Sequence, residues 1–224
     1  MLSLKTVDRF FFDFDGLLVN TERLHFQAYQ RLLTTRHLSF PWSFSEFAGI
    51  AHQKAHGIRE AITRHFPSLV DQTGWEALYA EKQRYYAEFL CGKELDLMPG
   101  AAAVLTLVQQ LAIPHAVVTN SPLEQVRAIR PRLRPLESIP CWVTRENYSL
   151  PKPAPDGYLK AIDLLGGTQQ TMVGFEDSLR GVHSLQSAGI TPVLICAEDH
   201  PQLRTIQPGS LLYFPSFTAL LEAV

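Results

Sequence analysis

The hydrophobic pattern changes period along the chain, and each change marks an element. Near the amino end, "RFFFDFDG" is an unbroken apolar run that meets acids and a glycine. A run without alternation fits a strand covered on both faces, as in a parallel sheet. From Thr21 to about Cys91 the apolar residues recur at helical spacing instead. "TERLHFQAYQRLL" places Leu24, Ala28 and Leu32 on one stripe, and "QKAHGIREAITRHF" and "GWEALYAEKQRYYAEFL" keep the same rhythm. No strand pattern interrupts this block.

After "DLMPG" the elements alternate. "AAAVLTLVQQLA" predicts an amphipathic helix with Val104, Leu105, Val108 and Leu111 on one face, and "HAVVTNS" a short strand ending in a polar turn. "APDGYLKAIDLLGG" predicts a helix stopped by Gly166 and Gly167, "TMVGFEDS" a strand ending in acids, and "LRGVHSLQSAG" a helix stopped by Gly189. "TPVLICAED" and "LLYF" read as strands, and "SFTALLEAV" as a last helix capped by Ser216. Strands alternating with helices predict an α/β fold, a doubly wound parallel sheet. The helical block interrupts that alternation after the first strand. It is expected to be an inserted helical cap of residues 18–95, with residues 1–17 and 96–224 forming the core.

Composition narrows the function classes. The chain has 224 residues, 46% of them hydrophobic and 19% charged, which allows a substantial core and argues against global disorder. With 20 basic and 22 acidic side chains, its formal net charge of -2 gives no reason to expect nucleic acid or an anionic membrane as partner. No apolar run approaches the roughly 20 residues of a membrane helix, and "MLSLKTVDRFFF" lacks the layout of a signal peptide. Cys91, Cys141 and Cys196 have neither zinc spacing nor an obvious pairing, as expected of thiols in a reducing cytoplasm. A cytoplasmic monomer is expected. The basic stretch "RAIRPRLRP", broken by prolines, is expected to be a solvated loop.

In open α/β sheets, ligands bind beyond the carboxyl ends of the strands. The first strand ends at Asp13 and Asp15, and the next at Thr119, Asn120 and Ser121. A loop carries Lys152, and a later strand ends at Glu176 and Asp177. This set suits a phosphoryl group beside a hard cation. Carboxylates match Mg²⁺, while a hydroxyl, backbone N–H groups and a lysine suit phosphate oxygens. Strand alternation puts Asp13 and Asp15 on one face. Asp13 is then a candidate nucleophile and metal ligand, Asp15 a proton shuttle, and Gly16 the turn. Each residue also has a plainer explanation. Asp and Gly favour turns, Thr119 can cap one, a lysine between prolines can be solvated, and Glu176 and Asp177 can sit at a helix amino end.

"DFDGLLVNTE", "VVTNS", "KPAPDGY" and "GFEDSLRGVHSLQSAG" occur in order and span nearly the whole chain. In these motifs the sequence resembles the haloacid dehalogenase superfamily, in the subgroup similar to β-phosphoglucomutase and small phosphosugar phosphatases. The resemblance implies a Rossmann-like core, a helical cap, Mg²⁺ and an aspartyl-phosphate intermediate on a small phosphate ester. By the same resemblance Asp13 is the nucleophile and Asp15 the general acid and base. Thr119 and the amide of Asn120 bind phosphate, and Lys152 bridges phosphate and nucleophile. Asp177 ligates Mg²⁺ with Asp13 and the Asp15 carbonyl, supported by Glu176, and Thr21 and His25 lie near the cap hinge. Pro151 departs from the family, whose members usually carry glycine there; it removes an N–H and fixes φ.

The reaction is narrowed by two positions. Asp15 speaks against haloacid dehalogenation and phosphonate hydrolysis, which lack an acid there in this family. Phosphatases and phosphosugar mutases both use the pair. Mutases of this type carry an arginine in a cap segment that here reads "GIAHQK", with His52 in its place. A histidine lacks the bidentate fork of arginine, so hydrolysis is favoured over mutase chemistry. Lys82 is a candidate for reaching substrate from the cap, and a solvated helix lysine is the plain alternative; His25, taken alone, is an ordinary helix histidine. Outside this class stand a receiver-like phosphoacceptor, which has no helical insertion, and a non-catalytic phosphate-binding relative, expected to have lost one of the acids.

Overall fold

The computed structural model describes residues 6–53, 56–92, 94–167 and 171–223. The first five residues of "MLSLKTVDRFFF" and Lys54 of "GIAHQK" lie outside the described residues. The chain divides into two compact units, Met1–Asn20 with Leu95–Val224, and Thr21–Glu94.

The first unit is built on a sheet of six parallel strands: β1 (Arg9–Phe12), β2 (His115–Val118), β3 (Cys141–Val143), β4 (Met172–Glu176), β5 (Thr191–Ile195) and β6 (Leu212–Phe214). Their order is β3-β2-β1-β4-β5-β6, an α/β Rossmann-like arrangement. The chain steps one way from β1 to β3, and β4 to β6 lie on the other side of β1. The switch point is therefore between β1 and β4, where doubly wound sheets open a crevice at their carboxyl ends.

Both faces of β1 are covered, which explains its unbroken apolar run. On one face Phe11 joins Ala116, Val118, Val143, Tyr158, Ile162 and Leu185 in a buried cluster. Helices Asp156–Leu164 and Leu179–Ser187 supply its outer layer by packing on β2 and β3, and on β4 and β5. On the other face the rings of Phe12 and Phe175 stack at 5.2 Å, Phe10 lies 5.8 Å from Phe175, and Phe217 meets Phe175 edge-on at 5.4 Å. Gly16, at φ 81°, turns the chain sharply after β1. Its N–H reaches Val19 O at 2.9 Å, closing the loop that leads out of the sheet.

One local expectation changes, and one strand had no sequence signal. Cys141–Val143 forms an edge strand too short for its period to be read. "RAIRPRLRP" is not a loop: a helix over Leu123–Ile129 runs into a 3-10 turn at Arg130–Arg132 and a short helix at Arg134–Glu137. Each proline there stands in the first turn of its element, where a missing N–H costs nothing.

The second unit is helical in all its described elements: Glu22–Thr34, Phe44–Gln53, Gly57–His65, Pro67–Thr73 and Trp75–Gly92. Its core gathers Tyr29, Leu32, Phe47, Ile62 and Leu78, and Arg36 ties the first helix to Glu81 on the last with bonds of 3.1 and 2.5 Å. Among the described residues no helix is long and apolar enough to cross a membrane.

The aromatic stack makes a direct test. Phe12→Ala empties a fully buried site between Phe175 and Phe217. Urea unfolding should show a loss of about 3–5 kcal/mol; a loss below about 1 kcal/mol would mean the face is not packed as described.

Candidate active site

Asp13 sits one residue past the end of β1, and its N–H still bonds to Phe175 O on β4 at 3.0 Å. This fixes its backbone at the switch point. Lys152 arrives from the proline-flanked loop after β3. Its ammonium donates to Asp13 Oδ1 at 2.5 Å, Glu176 Oε1 at 2.6 Å and the Val118 carbonyl at 2.8 Å. Three donors thus meet three acceptors from three neighbouring strand ends. Pro151 does not shorten its reach. The loop is closed by the Asp156 carboxylate, which accepts from Leu150 N at 3.0 Å. Asn120 Oδ1 accepts from Lys152 N at 3.1 Å.

Glu176 ends β4 and is fully buried. Besides Lys152, its Oε1 accepts from the hydroxyl of Tyr158 at 2.5 Å. The next turn is braced by Gln202, whose amide donates to Asp177 O at 2.6 Å and whose carbonyl accepts from Leu179 N at 3.0 Å. Ser178 caps the helix that follows by accepting from Gly181 N at 3.1 Å. Gly181 has no room for a side chain, since a Cβ there would lie 1.9 Å from Glu176 Oε2.

Electrostatics follow from this crowding. Burial alone would lower the ammonium pKa of Lys152, but Asp13 and Glu176 outweigh it and hold it above its ordinary value. Burial and the charge of Asp13 raise the Glu176 carboxyl to about 7, against the pull of Lys152. Burial, with Glu176 beside it, holds the Tyr158 phenol well above its usual range, so it remains a donor.

A cation fits here on two observations. One oxygen from each of Asp13, Glu176 and Asp177 lies within 4.8 Å of the others. Glu176 Oε2 is buried and has no hydrogen-bond partner among the described residues, a costly state for a carboxylate oxygen unless a cation satisfies it. An all-oxygen donor set matches a hard ion such as Mg²⁺.

Asp15 faces different partners. Its carboxylate accepts from Ser121 Oγ at 2.6 Å, Gln125 Nε2 at 2.8 Å and Thr119 Oγ1 at 3.3 Å. Thr119 is buried and also accepts from Ser121 N at 2.9 Å. The structure therefore brings Asp13, Lys152, Glu176 and Asp177 into one cluster and joins Asp15 to Thr119. Asn120 steadies the loop of Lys152. Tyr148, Tyr158, Gln125 and Gln202 also shape the site, although the sequence offers only one cue among them, the tyrosine that closes "KPAPDGY".

The remaining candidates belong to the helical unit. Thr21 is buried at the start of the first helix, where its carbonyl accepts from Leu24 N and His25 N at 3.0 and 3.2 Å. His25 stacks on Tyr86 at 4.2 Å and its Nδ1 meets Lys82 Nζ at 2.6 Å. Burial and then Lys82 hold the imidazole well below its ordinary pKa, so it accepts as a neutral ring. Lys82 is buried, with the rings of Tyr29 and Tyr86 each 5.1 Å away. It is not a solvated helix lysine. His52 is buried and paired with Glu22.

Residues 7–189 match the family model described as haloacid dehalogenase-like hydrolase. The chain belongs to the haloacid dehalogenase-like hydrolases. Among its relatives in this family, hexitol phosphatase A of Escherichia coli is 31% identical over 200 residues, 88% of this chain and 87% of that protein. The phosphorylated carbohydrates phosphatase of Thermotoga maritima is 30% identical over 185 residues, 80% of each chain. A crystal structure of a CbbY mutant from Rhodobacter sphaeroides with xylulose-(1,5)bisphosphate has the same fold, with a TM-score of 0.75 at 21% identity and 96% of each chain covered.

Removing the central cation should destabilise the fold. Lys152→Met leaves Asp13 and Glu176 buried without compensation. In the presence of a chelator, urea unfolding should show a loss of about 3–5 kcal/mol; unchanged stability would mean the buried ion network is not formed.

Proposed function

We propose that this chain, a haloacid dehalogenase-like phosphoric monoester hydrolase, releases phosphate from a small phosphorylated carbohydrate through an aspartyl-phosphate on Asp13. The observation that carries this reading is the meeting of Asp13, Lys152, Glu176 and Asp177 at the switch point of the sheet. The carbohydrate class is supported by the phosphatases of phosphorylated carbohydrates and hexitols among its relatives.

Asp13, with one oxygen pinned by Lys152, supplies the oxygen that attacks phosphorus, and the bond from phosphorus to the ester oxygen breaks. Lys152 lies where it can offset the charge gathering on the phosphoryl oxygens. Thr119 and the backbone of Asn120 are assigned to bind those oxygens. Asp15 gives a proton to the departing sugar oxygen and takes one from the water that then cleaves the aspartyl-phosphate. Ser121, Gln125 and Thr119 donate to its carboxylate and orient it. Asp13, Asp177, Glu176 and the Asp15 carbonyl would hold Mg²⁺, which when bound neutralises phosphoryl charge as a Lewis acid.

Hydrolysis is preferred to a mutase reaction because His52 is engaged by the acid Glu22, a poor setting for a second phosphate. The helical unit, with Lys82 as its buried cation, is assigned substrate selectivity, and Gly16, Thr21 and His25 the support of its hinge. The same reading takes the protein as a monomer of the cytoplasm that needs neither nucleic acid nor membrane.

Two variants separate the roles. Asp13→Asn should lose several orders of magnitude in kcat with Mg²⁺ on both aryl and sugar phosphates, and turnover near wild type would sink the assignment. Asp15→Asn should lose about 10²–10⁴-fold on sugar phosphates and much less on an aryl phosphate, whose leaving group needs no proton. Equal losses on both would remove Asp15 from acid catalysis.

A further inference from the structure

The two oxygens of Glu176 are treated unequally. Oε1 accepts from Lys152 and from Tyr158, while Oε2 is buried and has no hydrogen-bond partner among the described residues. We propose that Tyr158 is a positioning residue whose hydroxyl, with Lys152, pins Oε1 and so reserves Oε2 for the cation shared with Asp13 and Asp177. The inference rests on the metal site assigned above and deepens it.

An ammonium is a compact charge on a flexible stem, with no preferred plane. Lys152 also divides its three N–H groups among three acceptors. By itself it attracts the Glu176 carboxylate but fixes its rotation poorly. The Tyr158 hydroxyl supplies a second, independent direction from a rigid support. Its ring is fully buried, lies edge-on to Phe11 at 6.3 Å and sits under the Lys152 ammonium at 4.8 Å. Two donors on one oxygen, one of them on a rigid buried ring, restrict the rotation of the carboxylate. Gly181 completes the device, because any side chain there would occupy the space of the Glu176 carboxylate. Tyr158 takes no part in the steps assigned to Asp13 and Asp15, so its buried hydroxyl is otherwise unexplained. Groups that orient a metal-ligating carboxylate typically contribute 10–100-fold to metal affinity.

The test is Mg²⁺ binding, measured by titration calorimetry and by the Mg²⁺-dependent rise in Tm, with no substrate present. Tyr158→Phe keeps the ring and its packing and removes only the donor. Its Kd for Mg²⁺ should rise about 10–100-fold, with Tm in chelator close to wild type and kcat on an aryl phosphate recovered at high Mg²⁺. Adding Tyr158→Phe to Glu176→Ala should leave Kd where Glu176→Ala alone puts it, because Tyr158 acts through Glu176. A Kd within twofold of wild type for Tyr158→Phe overturns the proposal. So does a further loss in the double variant as large as that in the wild-type background. If the wild-type protein binds no Mg²⁺, the metal assignment itself falls and this inference with it. Wild-type binding that ignores Tyr158 sinks the inference alone.

Discussion

One buried ammonium organises the catalytic unit. Lys152 holds together the ends of β1, β2 and β4 through Asp13, the Val118 carbonyl and Glu176. Burial and the charge of Asp13 push the Glu176 carboxyl up. The lysine makes the approach of the two carboxylates tolerable, and their charge in turn keeps the lysine protonated despite its burial. Neither side of the arrangement is stable without the other. This interdependence places a cluster of acids at the switch point and leaves Glu176 Oε2 without a partner among the described residues.

Much of this was legible because each strand ends abruptly in polar residues. "FFFDFDG", "VVTNS" and "GFEDS" pass from apolar to acid or hydroxyl within one residue, and in a parallel sheet the ends must share a rim. The helical block was legible from its period alone, since Leu24, Ala28 and Leu32 all proved buried on one helix. The resemblance supplied the order of motifs and so joined residues that spacing could not. Asp13 and Asp15 show the limit of the periodicity argument. The strand stops at Phe12, and the two carboxylates take different partners, one a lysine and the other two hydroxyls and an amide.

The residues that escaped the reading share a physical reason. Gln125 lies on a helix, Gln202 in a 3-10 turn and Tyr148 just past one, and all three act by one or two hydrogen bonds to groups distant in sequence. A buried amide or phenol looks in sequence like any surface polar residue, because only the fold decides whether it is covered. Gln202 is a clear case: almost fully buried, it spans the turn between Asp177 and Leu179 with both ends of its amide. The chemistry of a site is thus written in its charged residues, and its rigidity in neutral ones that sequence does not flag.

Ser121, Thr119 and Gln125 donate to Asp15, while the ammonium of Lys152 meets Asp13. In the proposed reaction the nucleophile is Asp13, held at one oxygen by the ammonium of Lys152. In the proposed reaction Asp15 is the proton shuttle and changes state twice in each turnover. Ser121, Thr119 and Gln125 orient Asp15 without adding charge, and the two hydroxyls can turn from donor to acceptor when Asp15 carries a proton. Gln125 cannot reverse its N–H groups, but its amide can exchange ends by rotation. These three partners can therefore serve both forms of a carboxylate, which a lysine could not.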